Sequence, residues 1–396
     1  MNRRILRRAG LVLASVLAVV AGSAGVSSTD PSLPNAAVVL TLPAPTGPYS
    51  VGVTDKHLVD SGRADPWHPE QRRELMVQVW YPATVDQESP SAPWMPPGGR
   101  QAQESYLSDL GVPEGSWTLA PSHSHPDAPA VDDHGRFPIL LNSPGMTDTT
   151  GWSTAQAEDL ASHGYVVVAI EHTYEAFSVH FPDGREIRSE VPLDSPQEVL
   201  RDVLVTNRVA DARFVLDRLT GPEPDLPPGL ADALDVSKIG MFGHSLGGST
   251  TAQAMHDDAR ILAGVDLDGP ILGSVAEDGL DRPLLMPAGG NSPWFGQPGW
   301  EPVWANNTGL KLPLQVAGTE HMSFSDQQAI LPQLVAAGLL PGETAAQVVG
   351  SIDPNRSIDL QRDYMRAFFD AVFGRSGPGI VETLTGLARP EVVPRP

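Results

Sequence analysis

The chain has 396 residues, no cysteine and a formal net charge of −22 at pH 7. This length is sufficient for a large hydrophobic core, and the lack of cysteine excludes a disulfide framework and thiol chemistry. The excess of acidic residues argues against nucleic acid as a partner and against simple electrostatic attraction to an anionic membrane.

The first 26 residues predict a secretory signal peptide rather than part of the folded domain. Four arginines lie among the first eight residues, an apolar run follows at 9–21, and small residues occupy 22–24. The apolar run is too short for a membrane span, so we expect cleavage and secretion, with an uncleaved anchor as the alternative. Residues 27–45 are rich in Ser, Pro and Ala and are expected to form a flexible leader.

Residues 46–374 are expected to form a single domain, followed by a loose tail at 375–396. Within this domain, residues 85–134 differ in composition because eight of them are prolines. Proline removes a backbone donor and interrupts regular elements, so this segment is predicted to lack long helices and strands and to pass over the sheet edge. Trp94 and Trp117 are candidates to anchor it.

Apolar runs alternate with helical patterns along the domain. Residues 137–142 and 165–170 are apolar without alternation, which is typical of strands buried on both faces. Further strands are predicted at 75–81, 238–242, 262–267, 284–286 and 312–316. Helices are predicted at 152–163, 205–219 and 360–371. Strands that alternate with helices predict an α/β fold with a mostly parallel central sheet and helices on both faces.

The most informative motif lies at residues 243–248, which read Gly-His-Ser-Leu-Gly-Gly. It follows the predicted strand at 238–242 and precedes a helix-compatible run at 249–256. A serine on a sharp strand-to-helix turn is the nucleophile elbow of the α/β-hydrolase fold, and the small glycines allow the strained backbone. The motif therefore predicts Ser245 as the catalytic nucleophile of a hydrolase.

A serine nucleophile needs a base and an orienting acid, which in this fold follow in the chain order Ser, acid, His. Of the two histidines downstream of Ser245, His256 belongs to the helix after the elbow, whereas His321 follows the last predicted strand. His321 is therefore the predicted base. Asp268, at the end of the intervening strand, is the predicted acid, while Asp266 on the same strand and a structural ion pair remain alternatives.

Acyl transfer also needs N–H donors for the oxyanion. The backbone N–H of Leu246, at the start of the helix after the elbow, is one candidate. The second is expected from the loop after the strand at 137–142, where Met146 follows Pro144 and Gly145. An ordinary turn at the Pro-Gly pair is the alternative interpretation of this loop.

These motifs in combination resemble the platelet-activating-factor acetylhydrolase family of α/β-hydrolases, the secreted lipoprotein-associated phospholipases and their bacterial relatives. The resemblance covers nearly the whole chain after the leader and is carried by residues 47–52, 137–141, 160–165, 171–172, 243–248, 267–268, the His321 segment, 362–364 and 368–370. It implies an α/β-hydrolase fold, a triad of Ser245, Asp268 and His321, and calcium-independent ester hydrolysis without a cofactor.

One departure from the family pattern lies in the loop expected to bind the oxyanion. Relatives usually carry His-Gly where this chain has Pro144 and Gly145. Proline lacks an N–H, but the donor at Met146 remains. We therefore expect this difference to affect substrate preference more than catalysis.

The resemblance implies a lipid or other ester as substrate, and two hydrolase functions remain open. One is a short-acyl phospholipid acetylhydrolase, and the other is a broader lipase or polyester hydrolase. Four aromatic residues are candidates either for an acyl pocket or for core packing, namely Trp294, Phe295, Trp300 and Trp304. Four aliphatic residues are candidates for weak contact with a lipid interface, although core packing is favoured, namely Leu334, Val335, Leu339 and Leu340.

Two functions of other classes are alternatives. A non-catalytic binding protein on this fold is disfavoured by the Ser, Asp and His in the expected order. A metalloenzyme is suggested by a cluster close together in the chain, comprising His123, His125, Asp132, Asp133 and His134. This cluster belongs to the proline-rich segment, far along the chain from the expected triad. A solvated loop is therefore favoured, and no metal is expected.

Overall fold

The computed structural model describes residues 37–394, except for 87, 133–135, 223–225, 228, 293–299 and 378. The signal peptide predicted at 1–26 and the first part of the leader lie outside the described residues, as do Asp133, His134, Trp294 and Phe295. Among the described residues, no helix is both long enough and apolar enough to cross a bilayer.

Strands and helices alternate through most of the described chain. The strands are β1 Val38–Leu40, β2 Ser50–Ala64, β3 Arg72–Ala83, β4 Trp117–Leu119, β5 Ser124–Pro126, β6 Phe137–Ser143, β7 Val166–Glu171, β8 Ser178–His180, β9 Glu186–Arg188, β10 Leu234–His244, β11 Ile261–Leu267, β12 Leu284–Gly289, β13 Lys311–Val316 and β14 Val392–Pro394. The α-helices are α1 Pro97–Asp109, α2 Thr154–Ser162, α3 Gln197–Val199, α4 Thr206–Thr220, α5 Leu230–Ala233, α6 Leu246–Asp257, α7 Val275–Asp278, α8 Trp300–Asn306, α9 Gln327–Ala336, α10 Gly342–Val349, α11 Pro354–Val372 and α12 Ile380–Leu387. Short 3-10 helices span Thr150–Trp152 and His321–Phe324, and a π-helix spans Leu200–Val205.

Ten strands in the described part of the chain form one sheet, in the order β14-β13-β12-β11-β10-β6-β7-β3-β2-β5. The strands from β13 to β7 run parallel to one another, whereas β3 is antiparallel to both its neighbours and β14 is antiparallel to β13. The predicted mostly parallel sheet is therefore confirmed. Because β10 lies between β6 and β11, the carboxyl ends of these three strands meet at one edge of the sheet, where ligands bind in open α/β sheets.

Apolar side chains cover both faces of the sheet. On one face, Ile139 and Leu141 of β6 belong to a cluster that includes residues of α4 and α6. On the other face, Leu140 belongs to a cluster with residues of α2 and α11. Consecutive residues of a strand point to opposite faces, so a strand covered on both sides is apolar throughout. Each fully buried Leu or Phe contributes about 1.5–3 kcal/mol to the stability of this core.

The proline-rich segment differs from the prediction because it contains a 13-residue helix, α1. The helix begins at Pro97, directly after Pro96. The first N–H groups of a helix have no acceptor within the helix, so proline loses no hydrogen bond at the first position. Its fixed φ is also close to the helical value, and proline is therefore favoured there. Trp94 and Trp117 are both buried, and the Trp94 indole donates to Asp326 Oδ2 at 3.0 Å. The two tryptophans thus anchor the segment to the domain.

The domain extends further at both ends than the sequence predicted. In the leader, β1 pairs with β4, and Leu40 and Leu42 are buried. In the tail that was expected to be loose, Leu384 of α12 enters the core and β14 pairs with β13. The expected boundaries at 45 and 374 are wrong because apolar residues beyond them complete the packing.

Candidate active site

Ser245 occupies the sharp turn between β10 and α6. Its φ of +54° and ψ of −121° are strained for a residue with a side chain, and its N–H donates to Leu267 O at 2.9 Å. The turn depends on small neighbours, since a Cβ added to Gly247 would lie 1.8 Å from Ser143 O. The structure therefore has the strand, turn and helix that the motif predicted, with the Ser245 side chain at the carboxyl edge of the sheet.

The structure brings Ser245, His321 and Asp268 together at this edge. His321 Nε2 lies 3.0 Å from Ser245 Oγ, and His321 Nδ1 lies 2.7 Å from Asp268 Oδ2. Each residue lies after the carboxyl end of a different strand: Ser245 follows β10, Asp268 follows β11, and His321 begins the 3-10 helix after β13. A hydroxyl, an imidazole and a carboxylate linked in this order can transfer the hydroxyl proton to the imidazole.

The carboxylate of Asp268 determines which nitrogen of His321 carries the proton. Asp268 is 1% exposed, and its Oδ1 accepts a hydrogen bond from Gly289 N–H at 2.9 Å. With Nδ1–H donated to Asp268, Nε2 of His321 is left to accept the Ser245 proton. Burial lowers the pKa of His321, but the hydrogen bond and charge of Asp268, with the charges of Asp148 and Glu320, raise it above its usual value.

Asp266, the alternative acid, does not contact His321. Its Oδ1 accepts from Gly269 N–H at 2.9 Å and lies against the elbow, where a Cβ added to Gly248 would be 1.7 Å away. Burial raises the pKa of Asp266 well above its usual value, and the charge of Asp268 raises it further. Asp266 therefore packs against the elbow and bonds to Gly269, and the structure does not bring this alternative acid to His321.

The two expected oxyanion donors lie on neighbouring loops. Leu246 is the first residue of α6, so its N–H is one of those that lack an intrahelical acceptor. Met146 lies in the turn after β6, followed by Thr147 in the left-handed region at φ +62°. The turn abuts the elbow, because a Cβ added to Gly145 would lie 3.3 Å from His244 Nδ1.

His244 is a residue of the site that the sequence analysis did not single out. Its Nε2 donates to the backbone oxygen of His321 at 3.0 Å, and its Nδ1 lies 3.1 Å from Asp148 Oδ2. Its ring also lies 4.6 Å from the His321 ring, between centroids. His244 thus joins the loop of the base to the segment after Met146. It occupies a variable position of the elbow motif, so spacing alone gave no reason to select it.

A chain of buried polar groups lies beneath the turn after β6. Ser143 Oγ lies 3.0 Å from His172 Nε2, His172 Nδ1 lies 2.9 Å from Asp211 Oδ2, and Arg73 Nη2 donates to Asp211 Oδ2 at 2.6 Å. Burial opposes ionisation of Asp211, but the charges and hydrogen bonds of Arg73 and His172 hold its pKa well below the usual range. Burial lowers the pKa of His172. The neutral imidazole therefore donates to Asp211 and accepts from the Ser143 hydroxyl.

The apolar candidates for substrate or lipid contact are mostly part of the core. Trp300 is buried, and its indole donates to Gly269 O at 3.3 Å. Trp304 is 37% exposed and lies beneath the Lys311 ammonium. Core packing, the favoured interpretation of the four aliphatic candidates, holds for the buried Leu334 and Leu340, and Val335 and Leu339 pack partly buried against the same apolar cluster.

The histidines suggested as metal ligands have separate partners. His123 Nδ1 lies 3.4 Å from Glu158 Oε2, whereas His125 Nδ1 donates to Pro90 O at 3.0 Å. Asp133 and His134 lie outside the described residues. Within the described ranges, no three His, Cys, Asp or Glu side chains are grouped so that they could hold a metal ion.

The chain is similar to known proteins over most of its length. A family model described as platelet-activating factor acetylhydrolase, isoform II, matches residues 36–192 and 227–375. A relative from Arthroderma benhamiae, named probable 1-alkyl-2-acetylglycerophosphocholine esterase, is 28% identical over 84% of this chain and 89% of its own. The platelet-activating factor acetylhydrolase of Gallus gallus is 24% identical over 83% of this chain and 82% of its own.

A solved structure resembles the whole fold. The ferulic acid esterase from Streptomyces cinnamoneus superposes with a TM-score of 0.73 at 33% sequence identity, covering 90% of this chain and 99% of that one. Together with the sheet topology, this likeness identifies the fold as that of an α/β-hydrolase. The chain is a carboxylic ester hydrolase, and it belongs to the platelet-activating factor acetylhydrolase, isoform II, family.

Proposed function

We propose that Ser245, His321 and Asp268 are the catalytic triad of this ester hydrolase and that the enzyme is exported and prefers short acyl groups. The observation that carries the proposal is the continuous chain of hydrogen bonds, 3.0 Å from Ser245 Oγ to His321 Nε2 and 2.7 Å from His321 Nδ1 to Asp268 Oδ2. Both distances are within hydrogen-bond reach, so His321 can take the proton of Ser245 while Asp268 orients the imidazole.

Hydrolysis proceeds in two acyl-transfer steps. His321 takes the Ser245 proton as the serine oxygen attacks the ester carbonyl, and it then donates that proton to the leaving alcohol. In the second step, His321 takes a proton from water as the water oxygen attacks the acyl-enzyme, and it returns that proton to Ser245 Oγ as the carboxylic acid is released. Asp268 remains ionised throughout, orienting His321 and stabilising the imidazolium that forms in each step.

The negative charge of each tetrahedral intermediate is stabilised by the backbone N–H groups of Leu246 and Met146. Leu246 N–H lies at the amino end of α6, where the helix dipole also favours an anion. Met146 contributes from the turn after β6. Loss of one such donor costs about 3–4 kcal/mol of transition-state stabilisation, so both donors are needed for efficient turnover.

A short acyl group on a lipid-type ester is the favoured substrate. The Arthroderma benhamiae relative is named as an esterase of a 2-acetyl glycerophosphocholine, and the Gallus gallus relative as an acetylhydrolase. These names support a two-carbon acyl group on a glycerophospholipid. The departure at Pro144, next to the proposed oxyanion donor, is the reason to test the preference directly.

An aromatic ester is a second candidate substrate. It is favoured by the likeness to the ferulic acid esterase, which at 33% identity exceeds the 28% and 24% of the two relatives above. A hydroxycinnamate acyl group is flat and rigid, whereas an acetyl group is small. The two substrates therefore require acyl pockets of different size.

The test is a comparison of initial rates for p-nitrophenyl esters from acetate to palmitate, with methyl ferulate and an acetyl glycerophosphocholine alongside. We expect a maximum at acetate and a loss of about a million-fold in kcat for Ser245→Ala. The exposed Ser237→Ala is the matched control. A ferulate preference would replace the acetylhydrolase assignment by the aromatic one, a long-chain optimum would indicate a lipase or polyester hydrolase, and undiminished hydrolysis by Ser245→Ala would exclude the triad.

Export is supported by the arginine-rich start and the apolar run at 9–21. Expression of the full chain in a secreting bacterial host should release a shortened protein into the medium. Sequencing of its amino terminus should find a start close to residue 27. Retention of the uncleaved chain in the membrane fraction would instead support the anchor.

A further inference from the structure

The turn after β6 is held from within the protein by a buried arginine. Arg208, on α4, donates from Nη1 to Pro144 O at 2.6 Å and from Nη2 to Gly145 O at 3.1 Å. Its side chain is 1% exposed. The planar guanidinium therefore fixes two consecutive carbonyl groups of this turn, immediately before Met146.

The covalent geometry of the peptide bond transmits this contact to the Met146 N–H. In a trans peptide, the carbonyl oxygen and the following N–H point in opposite directions within one rigid plane, and the described residues contain no cis peptide bond. Because Gly145 O points at Arg208, the Met146 N–H must point away from Arg208. A Cβ added to Gly247 would lie 2.8 Å from Pro144 O, so the turn is also in contact with the elbow.

The orientation of the guanidinium is itself fixed by a second buried pair. Arg208 Nε donates to Glu175 Oε2 at 2.7 Å, and Asn207 Nδ2 donates to Glu175 Oε1 at 2.6 Å. Glu175 is fully buried. Both carboxylate oxygens are thus used, and all three guanidinium nitrogens have acceptors. We call Glu175, Asn207 and Arg208 the arginine clamp.

The buried ion pair of Arg208 and Glu175 adds little to the stability of the fold, because desolvation of the two charges offsets much of their attraction. A planar fork with fixed donor directions is, however, well suited to hold a main-chain turn in one conformation. We infer that Arg208 is a positioning residue for ester hydrolysis, which aims the Met146 N–H at the oxyanion through the Gly145 carbonyl. This inference rests on the proposed function, in which Met146 is an oxyanion donor.

Arg208→Lys tests the inference in the full-length enzyme. Lysine keeps the charge, but its ammonium cannot span two carbonyls and Glu175 in one plane. We expect kcat to fall about 10- to 100-fold with KM nearly unchanged, because a misplaced donor weakens the transition state more than the bound substrate. An aryl trifluoromethyl ketone, which binds serine hydrolases as a hemiketal with its oxygen in the oxyanion site, should lose affinity by the same factor as kcat/KM.

Arg362→Lys is the matched control. Arg362 is also buried, at 6% exposure, and also donates to main-chain carbonyls, those of Pro43, Ala44 and Ala155. These carbonyls lie in the leader and in α2 rather than in the turn after β6. The control should lose stability as Arg208→Lys does, yet retain the wild-type kcat and inhibitor affinity.

Glu175→Gln provides the second variant if Arg208→Lys fails to fold, since the amide keeps the shape but not the charge. We expect it to lower kcat about 3- to 10-fold, again with an equal loss of inhibitor affinity. Unchanged kcat and unchanged inhibitor affinity in a folded clamp variant would overturn the inference. If Ser245→Ala hydrolyses esters, the proposed function is refuted. If Ser245→Ala is inactive and Arg208→Lys is fully active, only the positioning role of the arginine clamp is refuted.

Discussion

The elbow and the turn after β6 are in contact at the active site but are held in place differently. The elbow is fixed largely by main-chain contacts, because Gly247 packs against Ser143 O and Ser245 N–H donates to Leu267 O. The turn is fixed by buried side chains from distant parts of the chain, through Ser143 to His172 and through Arg208 to the carbonyls. A short motif can encode the first region, whereas the second requires the folded core.

The largest expected effect is on kcat and distinguishes Asp268, which follows β11, from Asp266, which lies within β11. Asp268→Asn should lower kcat about ten-thousand-fold, because an amide no longer fixes the tautomer and orientation of His321. Asp266→Asn is the matched control and should leave kcat nearly unchanged, since Asp266 contacts Gly269 rather than His321. Steady-state rates on p-nitrophenyl acetate measure both variants. Equal losses in the two would contradict the assignment of the acid.

A second prediction concerns a substitution that should disrupt the main chain of the elbow. Gly247→Ala should lower the free energy of unfolding by more than about 3 kcal/mol, because the new methyl group would overlap with Ser143 O. Gly386 of α12 has no heavy atom within 4 Å of an added Cβ. Gly386→Ala should therefore stabilise the enzyme by up to about 1 kcal/mol. Urea denaturation compares the two, and a Gly247→Ala variant as stable as wild type would show that the turn can relax.

A third prediction concerns a substitution at the last residue of β6, directly before the turn. Ser143→Ala removes the hydrogen bond to His172 and should cost about 1 kcal/mol of unfolding free energy. Its effect on kcat should be smaller than that of Arg208→Lys, since the arginine holds the carbonyls directly. Ser195→Ala, at an exposed turn, should change stability by less than about 0.5 kcal/mol. A larger loss of kcat for Ser143→Ala than for Arg208→Lys would assign the main positioning role to His172.

The smallest expected effect is a shift in the pH profile. Turnover needs neutral His321, whose pKa is raised, so kcat/KM should fall as pH decreases through a value above 6.5. Asp148→Asn should move this inflection to lower pH by removing one of the charges that raise the pKa. By linkage, the contribution of His321 to stability is fully present below 6.5 and is lost as pH rises through its folded pKa. An inflection that stays in place in Asp148→Asn would contradict this electrostatic account.

The elements that the sequence predicted well are those whose pattern is local. The buried strands β6 and β7 are short apolar runs, and the elbow at 243–248 is a strand, a turn and a helix in succession. Chain order then selected Asp268 and His321, which the structure brings to Ser245. The prediction is wrong for α1, because a proline interrupts a helix only in its interior, and Pro97 occupies the first position.

The arginine clamp and His244 were not predicted, because their partners are separated widely in the chain. Arg208 and Glu175 resemble solvated surface charges when each is considered alone. One local pattern did point to burial, since Arg208 and Asp211 lie on α4 among the apolar residues Val209 and Ala212, close to Val205 at the end of the π-helix. A charge on the apolar face of a helix has to find a buried partner. Which partner it finds depends on tertiary packing.

The last strand of the chain has a consequence beyond catalysis. Without β14, the outer N–H and C=O groups of β13 would form an open sheet edge over Leu314, Gln315 and Val316. An exposed edge of this kind can pair with a strand of another molecule and begin aggregation. The short segment Val392–Pro394 thus acts as a cover for this edge. Its last residue is a proline, which has no N–H to offer to a further strand.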